Sequence, residues 1–329
     1  MAFDFNQIIG KNVLITGGAG FLGSNLAKRL VSLGANVSVF LKPKTNIKNL
    51  NEIKRAIKIF EGELTNEKDL IRVIKDKDYI FHFAWQTDLK KSMANPKEDV
   101  NSDIIGILTL LEACRKENKN VKIVFSSTST IVGIPLKIPV DEKHPELPLS
   151  VYEANKLLAE KYLYIYNKIY GMNTISLRLS NVFGEFQSIE NPNRGVLNFM
   201  IGKALRGEKL TVWGKGNFIR DYCYVQNYVD AFILAAISSK TNGKMYVIGT
   251  GIGRTFNEVV SKIKKAMEDL APEKPVIIEH VPFPEEDNTI NKRDFVADYS
   301  KFKKDAGWFP RVSFDEGLKR TIQFYINLV

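Results

Sequence analysis

The chain has 329 residues, 44% of them hydrophobic and 26% charged, and a formal net charge of +10 from 47 basic against 37 acidic side chains. That balance implies a soluble globular protein of one or two domains; no run approaches the roughly 20 apolar residues of a membrane span, and neither a secretory leader nor a nucleic-acid module is expected. Two cysteines, Cys114 and Cys223, and three scattered histidines, His82, His144 and His280, exclude a disulfide framework and a zinc site, so a reducing cytoplasm and no metal are expected.

In chain order, NVLIT (12–16) reads as a strand and SNLAKRLVSLG (24–34) as a helix closed by Gly34. NVSVFL (36–41) and AIKIFEG (56–62) follow as strands, EKDLIRVIKD as a helix and DYIFHFA (78–84) as the fourth strand. A helical stretch covers 98–117, and VKIVFSS (121–127) is the fifth strand. Strands separated by helices of this length imply a parallel sheet with right-handed crossovers. SVYEANKLLAEKYLYIYNKIYG is a long helix and TISLRLS (174–180) a further strand. Beyond about residue 182 the pattern loosens into a helix (GVLNFMIGKALRG), a short strand pair (LTVWGKGNFIRDYCYV), another helix (NYVDAFILAAIS), the strand MYVIG and a closing helix, FDEGLKRTIQFYINL. A second glycine cluster, IGTGIGR (248–254), reads as the join from that strand to a helix near Thr255, not as a nucleotide site.

The first strand hands over to its helix through GGAGFLG. Gly17 permits a tight turn, Gly20 lets the backbone approach a pyrophosphate, and Gly23 lets helix pack close to strand. The diphosphate would then sit on the free N–H groups at the helix start. The alternative is a purely structural turn.

This spacing within TGGAGFLGSN resembles the extended short-chain dehydrogenase/reductases, the nucleotide-sugar epimerases, dehydratases and 4-ketoreductases. GELTNEKDL, FHFAWQTD, LLEAC, FSSTSTIVG, YEANK, RLSNVFG, WGKGNFIRDYCYV and ADYSKFKKDAGWFPRVSFDEGL carry the resemblance in the same order along nearly the whole chain. It implies an α/β fold, a Rossmann-type doubly wound parallel sheet, with the NAD(P)-binding domain over 1–180. A smaller α/β part over 181–329 would bind the nucleotide-sugar, some of its segments returning to the first sheet. Cofactor contacts are implied for Gly17, Gly20, Phe21, Leu22 and Gly23, for Glu63 and Leu64 at the adenine, for Ala84 and Trp85, and for Tyr152 and Lys156. Trp85 stands where the family has a small residue, and either narrows the nicotinamide side or fills core. Asp103 stands where the family more often has Asn.

An acidic residue ending the second strand would bind the ribose 2′-OH. Here that place is Leu41, followed by Lys42 and Lys44. A lysine attracts a 2′-phosphate, so the reading leans to NADP(H) over NAD(H), with Lys42 the candidate contact.

Tyr152 and Lys156 are four residues apart and share one helical face. Ser150 and Glu153 form an S-x-x-E capping pattern that places Tyr152 in the first turn. A free phenol has a pKa near 10, and the Lys ammonium is expected to lower it so that Tyr152 acts as general acid/base. The resemblance implies that Thr128 donates to the same sugar oxygen. Tyr164/Lys168 and Tyr299/Lys303 repeat the spacing and read as packing residues. The 4,6-dehydratases of the family carry Asp-Glu directly after the catalytic Thr; here Ser129 and Thr130 stand there, which disfavours dehydration.

On the substrate side the resemblance implies Asn181, Asn198, Arg220 and Arg293, the arginines as phosphate ligands. A basic protein suits such an anionic partner. The expected activity is a nucleotide-sugar 4-epimerase, which oxidises C4 with bound NAD(P)⁺ and returns the hydride. The alternatives are an NADPH-dependent 4-ketoreductase and, from another class, a non-catalytic NADP(H)-sensing protein. The family pairs the helices around 98–117 and 151–170 in a homodimer.

Overall fold

The computed structural model describes residues 3–283 and 293–328. The first quarter of the chain forms β1 (Asn12–Thr16), α1 (Phe21–Ser32), β2 (Asn36–Leu41), β3 (Lys58–Glu61), α2 (Glu67–Ile74) and β4 (Tyr79–His82). There follow α3 (Leu89–Ala94), α4 (Pro96–Asp99), a π-helical turn (Val100–Ile105), α5 (Gly106–Glu117), β5 (Lys122–Thr128), α6 (Val151–Tyr170) and β6 (Asn173–Leu179). The rest supplies β7 (Asn181–Phe183), α7 (Val196–Leu205), β8 (Leu210–Trp213), β9 (Ile219–Tyr224), α8 (Val225–Ile237) and β10 (Lys244–Ile248). It ends with β11 (Gly253–Thr255), α9 (Phe256–Leu270), β12 (Ile278–Val281), α10 (Ser300–Ala306) and α11 (Phe314–Ile326).

Seven parallel strands form the platform in the order β3-β2-β1-β4-β5-β6-β10. The β-branched runs read from the sequence are its central strands, and β5 is buried at every residue, as a sheet covered on both faces requires. α1 and α8 pack their apolar stripes on one face, with Leu26, Leu30, Tyr228 and Phe232 in that core. α2, α5 and α6 cover the other through Leu70, Leu110, Leu111 and Leu163. The chain runs outward from β1 to β3 and returns at β4, so a crevice opens at the carboxyl ends of β1 and β4.

The smaller part has its own core, in which Met200, Val212, Tyr222, Tyr224, Val259 and Leu318 meet. The expected pairing of 210–213 with 219–224 does not form. β9 lies between β11 and β7 and so has no free edge, and β8 pairs with β12 instead. β10 and α8 from the second half join the platform, β10 beside β6 and α8 on its face.

Candidate active site

The glycine turn closes tightly on the sheet. Gly17 has φ +69°, and a Cβ there would lie 2.7 Å from the Ala84 nitrogen. A Cβ on Gly23 would lie 2.4 Å from the Gly17 carbonyl oxygen, so the helix start presses on the turn itself. Gly20 caps α1 without any side-chain hydrogen bond, and the first turn carries no acid. The N–H groups of Phe21, Leu22 and Gly23 therefore lack intrahelical acceptors and meet the positive end of the helix dipole. Asn49 Nδ2 donates to the Ala19 carbonyl at 3.1 Å and steadies the turn. A cradle that no side chain can fill, ending on a bare helix start, fits a dinucleotide pyrophosphate.

The remaining cofactor positions surround this turn. Leu41 is buried, while Lys42 and Lys44 are exposed in the turn after β2. The Glu63 side chain is exposed and its N–H donates to Asp69. Leu64 is buried beside Gly106. The Ala84 N–H donates to Thr16 Oγ1 at 3.3 Å, fixing the end of β4 against β1.

Thr128 ends β5, and Tyr152 and Lys156 lie one turn apart at the start of α6, packed beside it. Ser150 Oγ accepts the Glu153 N–H at 3.2 Å, but the Glu153 carboxylate reaches back to the Leu149 N–H at 2.7 Å, not to Ser150. Only half of the expected box forms. Thr128 lies against the Tyr152 phenol and favours its ionised form; its Oγ1 is 3.0 Å from Thr130 Oγ1. Lys156 Nζ donates to the Ser126 carbonyl at 2.6 Å and stands 5.9 Å from the Tyr152 ring centre.

The electrostatics differ from expectation. The Tyr152 phenol is held above its ordinary value by burial and by the carboxylates Asp103, Glu153 and Asp99. Burial pushes Lys156 down. Asp99 ends α4 and Asp103 lies on the π-helical turn that follows, and both are buried. Gln86 N–H reaches both Asp103 oxygens at 3.2 Å, and Gln86 Nε2 and Asn155 Nδ2 donate to Asp99 at 2.9 and 3.1 Å. Burial drives Asp103 up, as it does any carboxyl withdrawn from water. In this cleft the phenol is poised to give a proton rather than take one.

Trp85 is half-buried and packs against the core on the α5 and α6 face of the sheet. Its ring lies over the Lys156 ammonium at 4.1 Å, packs on Phe125 at 5.2 Å and meets His82 edge-on at 6.3 Å. No sequence signal pointed to this use. The two other Tyr-x-x-x-Lys pairs are elsewhere: Tyr164 is exposed, with Lys168 over its ring, and Tyr299 meets Trp308 edge-on.

On the substrate side the outcome divides. Asn181 is exposed at the start of β7. Arg220 is half-buried over the Phe218 ring at 5.2 Å, with burial pushing it down to about 10, still a cation at neutral pH. The expectations for two side chains need correction. Asn198 is fully buried, and its amide is taken by the N–H and carbonyl of Gly184 at 3.1 and 2.8 Å. Arg293 is buried and pairs with Glu153 at 2.8 Å, its other nitrogen donating to the Thr130 carbonyl. Both side chains are engaged with the chain itself. Sequence spacing could not show this, because both residues gain their partners only through tertiary packing.

Asp221 turns away from Arg220 and accepts from Thr250 N, Gly251 N and Ala297 N at 2.9, 3.0 and 3.2 Å. The second glycine cluster thus wraps a carboxylate of the chain itself. Among the described residues no group of three or more His, Cys, Asp or Glu could hold a metal. No helix among them is long and apolar enough to cross a membrane.

Comparison with known proteins agrees with this geometry. Residues 14–321 match the family model described as GDP-mannose 4,6 dehydratase. The chain is 30% identical to a UDP-glucose 4-epimerase of Mycolicibacterium smegmatis, over 95% of this chain and 98% of that one. Its structure resembles a Thermotoga maritima UDP-glucose 4-epimerase with UDP-glucose (TM-score 0.85, 32% identity, 96% of this chain and 99% of that one). It also resembles a Bacillus anthracis dTDP-glucose 4,6-dehydratase in complex with NAD (TM-score 0.82, 28% identity, 97% of each chain). The chain therefore belongs to the GDP-mannose 4,6 dehydratase family of nucleotide-sugar epimerases and dehydratases, enzymes of the extended short-chain dehydrogenase/reductase type.

Proposed function

We propose that the protein is an NAD(P)-dependent 4-epimerase of a nucleotide-diphosphate sugar. The observation that carries this reading is the grouping of Thr128, Tyr152 and Lys156 beside the glycine cradle, with hydroxyls at Ser129 and Thr130. A bound dinucleotide would supply the hydride acceptor and donor there. Gly17, Gly20, Gly23 and the N–H groups of Phe21 and Leu22 hold its diphosphate, with Glu63 and Leu64 at the adenine. Tyr152 moves the proton of the sugar C4 oxygen, Thr128 orients that oxygen, and Lys156 stabilises the phenolate when it forms. Arg220 meets the sugar diphosphate, and Asn181 contacts it from β7.

Dehydration needs a carboxyl pair to move the C5 proton and the C6 hydroxyl. Ser129 and Thr130 offer none, although dehydratases stand among the relatives. The second reading is an NADPH-dependent 4-ketoreductase. It is favoured by the phenol held in its protonated form and by Lys42 and Lys44 after Leu41, which also place NADP(H) ahead of NAD(H) as cofactor.

Denaturing the fresh protein and identifying what dinucleotide it releases tests both. Stoichiometric, tightly held NAD(P)⁺ supports the epimerase. An empty protein that oxidises added NADPH against a 4-keto nucleotide sugar supports the reductase. NADH bound at least as tightly as NADPH in a fluorescence titration removes the NADP(H) assignment.

A homodimer through α5 and α6 belongs to the same reading. Leu158, Ile165 and Ile169 of α6 and Ile105 beside α5 are exposed apolar side chains. Light scattering at a monomer mass would overturn it. The two buried free thiols suit a reducing cytoplasm.

A further inference from the structure

Lys156 is held in an unusual way for a buried cation. Buried charges are ordinarily paired with an opposite charge. No carboxylate among the described residues lies within ion-pair reach of this ammonium; its hydrogen bond goes to the Ser126 carbonyl. Around it stand two aromatic faces, Trp85 at 4.1 Å and Phe125 at 4.6 Å. These rings are braced against each other and against His82, whose Nδ1 is fixed by Thr16 Oγ1 at 2.8 Å.

An ammonium has three N–H donors. A carboxylate partner would take at least one more of them and hold the side chain in one ion pair. An aromatic face attracts the same charge through its quadrupole and uses no donor. With one N–H on Ser126, two remain for a ribose and a phenolate. Phe125 lies within β5 and is wholly buried, so it belongs to the platform in any case. Trp85 stands in the loop after β4, outside the strands of the platform.

We propose that Trp85 is a positioning residue for Lys156: its indole face holds the ammonium beside Tyr152 while leaving two donors for the cofactor ribose and the phenol. This rests on the functional reading above only for what those donors meet. The charged and titratable groups facing the ammonium are Tyr152 and Glu160 on α6, Asp99 at the end of α4, Asp103 on the π-helical turn, and His82 on β4.

The test compares wild type with Trp85→Phe, Trp85→Ala and Lys156→Met in two measurements. The first is the rate at which acetic anhydride labels Lys156, read by mass spectrometry, with buried Lys122 at the far end of β5 as the folding control. The second is NADPH and NADH affinity by fluorescence titration. Trp85→Ala is expected to label Lys156 about tenfold faster, with Lys122 unchanged, and to bind dinucleotide about fivefold more weakly. Trp85→Phe, which keeps a ring but loses the indole N–H, is expected to stay within about twofold of wild type in both.

The proposal falls if Trp85→Ala labels Lys156 at the wild-type rate, or if Trp85→Phe is as impaired as Trp85→Ala. Faster labelling of Lys122 as well would also overturn it, since Trp85 would then be supporting the fold at large. Wild type that takes up neither dinucleotide defeats the functional reading instead, and the labelling arm still decides the cage.

Discussion

Glu153 and Arg293 lie 140 residues apart in sequence and meet at 2.8 Å behind the active-site cleft, Glu153 with no exposed surface at all. Removing one partner of such a pair strands the other charge away from water. Arg293→Met is expected to cost about 3–5 kcal/mol in urea unfolding, with part recovered in the double variant Glu153→Leu/Arg293→Met. A single variant of wild-type stability but raised KM would return Arg293 to the phosphate.

Tyr152→Phe keeps the ring and loses the proton. Turnover is expected to fall by about 10²–10⁴-fold while dinucleotide affinity holds, because the phenolic hydrogen serves only the sugar oxygen. Steady-state kinetics alongside cofactor titration check this. Wild-type turnover in the variant would remove Tyr152 from the proton path.

Arg220 faces the proposed diphosphate from β9, with its guanidinium over the Phe218 ring at 5.2 Å. Arg220→Ala is expected to raise the KM for the nucleotide sugar by about 10–100-fold, with the melting temperature little changed, since one charge-assisted contact is worth about 1.5–3 kcal/mol. A large drop in melting temperature at unchanged KM would make it a structural arginine.

His82 is buried in an aromatic surround, and burial, aided by Lys156, lowers its pKa from 6.5 to about 3. The unfolded chain therefore binds a proton that the folded chain refuses between those values. Stability is full above 6.5 and falls by about 1.4 kcal/mol per pH unit below it, until pH nears the folded pKa. His82→Asn, which can keep the bond to Thr16, is expected to flatten that slope. Equilibrium unfolding at several pH values measures it, and an unchanged slope would assign the acid sensitivity elsewhere.

What could be read from the sequence follows from distance along the chain. β1, β2 and α6 are legible because burial on both faces gives continuous apolar runs and because Ser150 caps its own helix. The glycine turn is legible for the same reason: Gly17 and Gly23 meet within seven residues. Three features are not. The roles of Asn198 and Arg293 depend on partners brought up from remote segments, Gly184 and Glu153. The pairing of β8 depends on β12, some 65 residues away, which a local hairpin pattern hides. The lift in the Tyr152 pKa comes first from burial and then from Asp103, Glu153 and Asp99, and Asp103 and Asp99 reach the site through the π-helical turn and the short α4 before it.

The seventh strand, β10, enters the platform from residues 244–248 and lies against β6. During synthesis, therefore, the ribosome must deliver about three quarters of the polypeptide before the nucleotide-binding half can close. Until then β6 presents an unpaired, apolar border, the kind of template on which nascent chains stick to one another. A gene fragment ending near residue 180 would encode the dinucleotide turn and the reactive tyrosine, yet yield a product prone to clump.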